Sequence, residues 1–359
     1  MVTPRFFPYT GGVETHVAAV ASRLAANGHA VTVLSTDVTG ELPRRDEWQG
    51  VIIERERAWP RKRDYYVSPG IYRRVRDGRW DIVHVQSYHT FVAPFAMAAA
   101  RSTSTPFVVT FHGGGHSSRV RNSLHGLQLA LLRPLLAHAA KLVALTESEL
   151  AATSRRLDLP REHFVLVPNG SDLPSPPLAR AAANDDGLLI ASVGRLERYK
   201  GHQHVISALP AIRRVRPDAR LWVAGSGPYR ENLERLVARL GLEGAVEIRA
   251  VDPGDRARMA DELSRVDVVV LASERETHPI AVLEGVSLGC RAVVADSPGL
   301  RELGEEGLAR VVSRPENPEE LARAVLEEAD LPRRSGTLRL STWDECASRL
   351  DALYASVAS

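Results

Sequence analysis

Short runs of Val, Ile, Leu and Ala recur along the chain, each separated from the next by a longer amphipathic stretch, and few folds accommodate that alternation. Val266-Asp267-Val268-Val269-Val270-Leu271-Ala272 and Arg291-Ala292-Val293-Val294-Ala295 are apolar almost throughout, as strands covered on both faces of a parallel sheet must be. Strands are expected at 30–35, 82–86, 107–111, 141–145 and 164–167 in the first half, and at 188–193, 220–224, 246–250, 266–272 and 291–295 in the second. Helices fit between them, notably at 14–27 and 124–139. Strands alternating with helices build doubly wound α/β domains. A chain of 359 residues exceeds what one core usually supports, so two domains are expected.

The boundary falls at 169–187, where Pro174, Pro176 and Pro177 interrupt any helix and polar residues precede a fresh strand. The expected division is 1–170, a linker at 171–187, 188–340, and a last helix at 341–359 returning to the first domain. Thr342 and Glu345 have capping-box spacing ahead of Leu350, Leu353, Tyr354 and Val357.

Composition narrows the class. Hydrophobic residues at 44% and charged residues at 25% are ordinary for a globular protein and exclude whole-chain disorder. Cys290 and Cys346, the two cysteines, are too far apart in sequence for a metal cluster or a disulfide framework, which fits a reducing, cytoplasmic setting. No segment has the apolar length of a membrane span, and the first residues lack a leader pattern. Residues 1–175 hold 21 Lys and Arg against 15 Asp and Glu, and the rest 25 against 29. Much of the excess comes from Arg55, Arg57, Arg61, Lys62, Arg63, Arg73, Arg74 and Arg76, interleaved with Trp59, Tyr65, Tyr66 and Tyr72. That mixture could meet anionic headgroups and place the protein peripherally at a membrane; a solvated arginine-rich face explains it more simply. No nucleic-acid recognition motif accompanies the charge, so no nucleic-acid partner is expected.

Two carboxylates, Glu276 and Glu284, stand about eighty positions after Gly194-Arg195 and Lys200-Gly201. Arg can grip a diphosphate in a bidentate fork and Lys adds a compact charge, while carboxylates accept from sugar and ribose hydroxyls. Arg195 and Lys200 share one strand-to-helix loop and can converge on one anion. Glu276 lies in a loop and Glu284 about one turn into the helix after Pro279, though two acids near a helix start would each also suit the macrodipole. Gly11-Gly12 precedes a helix and could bring amides to an anion, or be a plain turn. His112 ends a strand, where open α/β sheets place ligands, and opens a run starting at Gly113. Gly225 and Gly227 end another strand, and their backbone can lie close to a flat ligand. A lone Gly-x-Gly does not make a dinucleotide domain.

With these residues assembled, the chain resembles the retaining GT-B glycosyltransferases of family four over nearly its whole length. The marks are Gly11-Gly12-Val13-Glu14-Thr15-His16, Thr110-Phe111-His112-Gly113, Val167-Pro168-Asn169-Gly170, Val193-Gly194-Arg195-Leu196 with Lys200-Gly201, Ala224-Gly225-Ser226-Gly227-Pro228, and the pair Glu276 and Glu284. The resemblance implies an α/β GT-B fold, two Rossmann-like doubly wound domains facing across a cleft. The first is acceptor-side and the second binds the nucleotide sugar. It also implies catalytic roles for Arg195 and Lys200 on the diphosphate, Glu276 on hydroxyls of the transferred sugar and His112 on the donor sugar. Donor binding by Gly11, Gly12, Gly113, Gly225, Gly227 and Glu284 follows, with Glu284 on the ribose hydroxyls. The activity implied is retaining transfer of a hexosyl group from a nucleoside-diphosphate sugar, UDP being the expected carrier, to a hydroxyl of a small molecule, glycan or lipid-linked sugar. The nucleotide sugar is a co-substrate; no cofactor and no metal are expected.

The chain departs from the family in two places. His278 and Pro279 replace an aromatic residue and a glycine after Glu276. Proline has no N–H, so Ile280 and Ala281 are expected to donate instead, with His278 adding a hydrogen bond or charge. Met1-Val2-Thr3-Pro4 leaves almost no room for a first strand, which is either very short or cut by a misplaced start. Two alternatives stay open: a nonhydrolysing sugar-nucleotide epimerase, which would turn over donor without acceptor, and a degenerate partner subunit, which would fold without binding nucleotide.

Overall fold

The structure, a computed structural model, describes residues 1–9, 11–60, 66–113, 119–174, 187–252, 254–334 and 340–358. Two compact units emerge, one of residues 1–113, 118–170 and 341–359, the other of 114–117 and 171–340. Most of the expected linker, 175–186, lies outside the described residues. Each unit is a Rossmann-like α/β half built on parallel strands, as the sequence pattern predicts.

The first unit runs α1 (Gly12–Ala26), β1 (Thr32–Asp37), β2 (Arg45–Trp48), β3 (Val51–Arg57), α2 (Pro69–Asp77), β4 (Val83–Gln86), α3 (Val92–Ser102), β5 (Phe107–Thr110), α4 (Arg119–Leu136), β6 (Lys141–Ala144), α5 (Glu147–Leu157) and β7 (Phe164–Leu166). Strands β4 to β7 form a parallel sheet in that order. Val2 links this sheet to β1, bridging in parallel to Leu34 on one side and Val85 on the other. Its N–H donates to His84 O at 2.7 Å and its carbonyl accepts from Gln86 N at 2.7 Å. The first strand is thus a single bridged residue.

Sequence reading misses the antiparallel pair β2–β3, because charged residues fill it. In β3 the two-residue period turns Val51, Ile53 and Arg55 to one inward face. Arg55, expected on a basic surface, is 6% exposed. It donates to Pro43 O at 3.0 Å and Phe7 O at 2.9 Å. Tyr66 is likewise buried and donates to Pro4 O, and Arg74 pairs with Glu54. The basic stretch is therefore not one surface; Arg61, Lys62, Arg63 and Tyr65 lie outside the described residues.

The second unit runs β8 (Leu189–Val193), α6 (His202–Val215), β9 (Arg220–Ala224), α7 (Arg230–Arg239), β10 (Val246–Ile248), α8 (Arg256–Ser264), β11 (Val268–Leu271), α9 (Ile280–Ser287), β12 (Arg291–Ala295), α10 (Pro298–Glu305), β13 (Arg310–Val312) and α11 (Pro318–Ala329). Its all-parallel sheet has the order β10-β9-β8-β11-β12-β13. Alternate residues of β11 enter different cores. Val268 and Val270 pack with Ile190, Val205 and Val325, whereas Val269 and Leu271 pack with Val282, Leu283 and Leu300. Burial on both faces explains the unbroken apolar runs.

A final helix, α12 (Trp343–Ala358), belongs to the first unit and packs on α1. Thr342 N–H donates to Glu345 Oε2 at 3.0 Å and Glu345 N–H to Thr342 Oγ1 at 3.1 Å, a reciprocal capping box. Among the described residues no helix is long and apolar enough to cross a membrane. Both cysteines are buried and free.

Candidate active site

In the second sheet β8 is followed in sequence by β9 and β10 to one side, and β11, which pairs with β8, continues to the other. Connections leaving the carboxyl ends of β8 and β11 therefore diverge and open a crevice, the usual ligand position in such sheets. Arg195 and Lys200 follow β8; Glu276, His278 and α9 follow β11. Lys200 Nζ and Glu276 form an ion pair across this crevice, with side chains only 16% and 11% exposed. Residues 76 positions apart are thereby joined. Burial opposes the Lys200 charge, but Glu276 and Tyr199 outweigh it and hold the ammonium above its usual value.

The loops are tied to each other by backbone. Glu274 N–H donates to Tyr199 O at 2.8 Å, and Ser273 Oγ to the same carbonyl at 3.2 Å. Gly194 N–H donates to Ala224 O and Leu196 N–H to Ser226 O, both at 2.9 Å, fastening the β8 loop to the β9 loop. At Gly225 a Cβ would lie 1.9 Å from Gly194 O. At Gly201, whose φ is +77°, it would lie 2.0 Å from Ala272 O. Glycine is required at both because backbone meets backbone. Gly227 lies in the same β9 loop, where a Cβ would meet Leu196 O at 2.5 Å.

Arg195, Lys200 and Arg256 each already have a carboxylate. Arg195, its side chain 37% exposed, reaches Glu197 at 3.2 Å. Arg256, the first residue of α8, pairs with Glu284, whose side chain is 4% exposed. Burial pushes the Glu284 carboxyl above its usual value, against the pull of Arg256. A diphosphate would find Arg and Lys charges held in place, and would share or displace their partners.

The expected amide donors differ from the sequence reading at Ile280, whose N–H is taken by His278 O at 3.0 Å. Pro279 caps α9 and turns the chain so tightly that the first helical amide bonds back two residues. Among the described residues Ala281 N–H has no acceptor, so it remains the available amide of the two.

His112, Gly11, Gly12 and Gly113 belong to the first unit. Gly11 is extended and Gly12 begins α1. Gly113 N–H, expected to face the donor, is committed to Glu149 Oε1 at 2.9 Å. His112, 7% exposed, follows β5 with φ at 46°. Its Nε2 lies 2.6 Å from Gln86 Oε1, and its ring meets His16 edge-on at 4.6 Å. His16 Nδ1 lies 2.7 Å from Asn169 Oδ1, which gives Asn169 a definite structural partner. Burial lowers His16 to about 4 and His112 well below the usual imidazole value.

Sequence reading passed over Arg256, Glu197, His202 and Gln86. His202 is fully buried, its Nδ1 2.8 Å from Ser192 Oγ and its Nε2 3.1 Å from Arg195 O, so it fixes the backbone of Arg195. Its place directly after Lys200-Gly201 was the available signal. Arg256 had none, because its partner is 28 positions away. Among the described residues no group of three or more His, Cys, Asp or Glu is placed to hold a metal ion.

The family model Glycosyltransferase Family 4 matches residues 10–174. The model Glycosyl transferases group 1 matches residues 179–334. Glycogen synthase of Mycobacterium tuberculosis H37Rv is 27% identical over 348 residues, covering 90% of this chain and 83% of its own length. The sucrose-phosphate synthase of Thermosynechococcus elongatus superposes with a TM-score of 0.76 at 17% identity, over 99% of this chain and 98% of its own. Anabaena HepE, solved with UDP and glucose, gives 0.68 at 16% identity, over 99% and 94%. These neighbours have the GT-B fold.

Proposed function

The chain belongs to glycosyltransferase family 4 and has the GT-B fold, and on that premise we propose that it is a retaining, metal-independent hexosyltransferase using a UDP-linked sugar. Glycosyl transfer from a sugar nucleotide follows from the family; the stereochemistry, the base, the hexose and the independence from metal are our reading. The observation that carries it is the crevice between β8 and β11, where Lys200 and Glu276 pair beside the Arg195 loop.

In this reading Arg195 and Lys200 receive the diphosphate and stabilise it as negative charge develops on the leaving group, the largest electrostatic contribution to such a reaction. The Ala281 amide at the start of α9 adds a neutral donor. Glu284 accepts from the ribose hydroxyls, and Glu276, released from Lys200 by the diphosphate, accepts from the transferred sugar. His112 contacts that sugar. The acceptor hydroxyl attacks on the face from which the diphosphate departs and passes its proton to a phosphate oxygen, which retains the anomeric configuration. The acceptor is a small molecule, a glycan or a lipid-linked sugar, and contact with a membrane surface would follow only from the last.

HepE, of the same fold, was solved with UDP and glucose, which makes UDP the first nucleotide to test. The experiment is thermal unfolding with UDP, GDP, TDP, ADP and NAD, each with and without EDTA. A ligand at 100 times its dissociation constant stabilises by roughly 2.7 kcal/mol. Selective stabilisation by UDP that survives EDTA is expected; stabilisation by another nucleotide, or only without EDTA, refutes the corresponding part. No shift with any nucleotide would point to a degenerate subunit. Turnover of UDP-sugar to its epimer, without acceptor, would point to the epimerase.

A further inference from the structure

One buried amide governs which nitrogen His112 offers. Gln86 ends β4 and is 0% exposed. Its side-chain Oε1 lies 2.6 Å from His112 Nε2. With the amide oxygen turned toward the ring, as here, the carbonyl accepts, which assigns the imidazole hydrogen to Nε2. His112 Nδ1 makes no hydrogen bond to a described residue. The other end of the amide, Gln86 Nε2, is buried without a partner among the described residues. A fully buried amide that leaves its N–H donors unused carries a cost, and among the described residues the side-chain hydrogen bond of Gln86 goes to His112.

The backbone is bent to the same end. Ser87 has φ at 70° and His112 at 46°, both in the left-handed region. They follow neighbouring strands, and Ser87 N–H donates to Thr110 O at 2.8 Å. Non-glycine residues held there mark positions that their surroundings over-determine. The ring is then closed in by His16 on its edge.

We propose that Gln86 is a positioning residue for transfer, holding His112 with its hydrogen on Nε2 so that Nδ1 is presented as an acceptor for a hydroxyl of the transferred sugar. The proposal rests on the reading of His112 as a sugar contact and specifies its chemistry. A neutral ring with one defined acceptor orients a hydroxyl; an imidazolium would only donate, and would repel positive charge developing at the anomeric carbon. The titratable groups facing His112 are His16 on α1, His84 on β4 and His89 in the loop after β4. Glu149 on α5 faces the adjoining Gly113 amide. Burial and these imidazoles keep the ring uncharged at neutral pH.

The test combines ring-nitrogen NMR of the histidine-labelled full chain with the rate of UDP release from UDP-glucose. In the unaltered protein His112 is expected as a single Nε2–H form at neutral pH. In Gln86→Leu the two tautomers should mix, and kcat should fall by about 10- to 100-fold with the KM for UDP-glucose and the melting temperature nearly unchanged. Gln86→Glu keeps the shape but sets a carboxylate against Nε2–H. His112 should then be protonated at neutral pH, and the rate should recover as pH rises. An Nδ1–H form in the unaltered protein overturns the proposal. So does a Leu variant that loses the fixed tautomer yet keeps its kcat. If His112→Ala releases UDP at the normal rate while the Nε2–H form is present in the unaltered protein, the sugar contact itself is wrong and the positioning role falls with it.

Discussion

Glu284 and Arg256 make the electrostatics of the site testable one side chain at a time. Removing one partner of a buried pair strands the other charge, at about 3–5 kcal/mol. Arg256→Met should therefore destabilise the protein, and Arg256→Met/Glu284→Gln should restore most of the loss, as read by equilibrium denaturation. The pH dependence has a definite sign. Burial already raises Glu284 above the usual carboxyl value, so the folded protein holds that proton to higher pH than the unfolded chain. Losing Arg256 raises it further. The variant's deficit should be small where Glu284 is protonated and grow as pH rises through its folded value; a pH-independent deficit would contradict the pairing. Arg195 is the contrasting case. Its pair with Glu197 is partly exposed, and such pairs contribute little to stability. Arg195→Ala should lower kcat by about 10²- to 10³-fold while the unfolding midpoint scarcely moves; unchanged turnover would remove Arg195 from the diphosphate site.

At the level of elements, the loop after β11 depends on a contact it does not make itself. Gly299, the second residue of α10, backs onto it so closely that a Cβ would lie 2.3 Å from Thr277 O and 2.6 Å from Glu276 O. Gly299→Ala must push the start of α10 and the Glu276 loop apart. The cost should be about 1–3 kcal/mol, accompanied by a weaker UDP-induced thermal shift although residue 299 touches no ligand in our reading. Gly244→Ala is the control, because nothing lies within 4 Å of its Cβ position. Equal thermal shifts in both variants would mean that this loop does not shape the nucleotide site.

Across the whole molecule, buried histidines couple stability to acid. His16, His84 and His112 lie in the first unit and His202 in the second. Burial brings His16 and His202 from 6.5 to about 4 and lowers His84 and His112 as well. As pH falls below 6.5 the unfolded chain takes up protons that the folded protein refuses, so the stability present above 6.5 is lost progressively down to about 4. Each of His16 and His202 accounts for about 3 kcal/mol over that window at roughly 1.4 kcal/mol per pH unit. Denaturation followed from pH 7.5 to 4 should show this loss, and His16→Asn should flatten it; a flat profile in the unaltered protein would mean that these rings open to solvent and protonate in the folded state.

The architecture was legible because periodicity is a local property. Strands covered on both faces must be apolar throughout, and the runs at 266–272 and 291–295 contain β11 and β12. The capping box at Thr342 and Glu345 is equally local and forms as spaced. The pair β2–β3 was invisible for the converse reason: its strands carry charge, and Arg55 is buried only because Pro43 and Phe7 carbonyls come to meet its guanidinium. Sequence named Arg195, Lys200, Glu276 and Glu284 as the residues able to handle a diphosphate and hydroxyls. It could not say that Lys200 holds Glu276, that Arg256 holds Glu284, or that Gln86 holds His112. Those partnerships join residues 76, 28 and 26 positions apart. They exist because strands that pair in the sheet, β8 with β11 and β4 with β5, bring their carboxyl-end loops together, and α8 brings its first residue to Glu284. Residue types set the chemistry available; sheet order and helix packing set which groups meet.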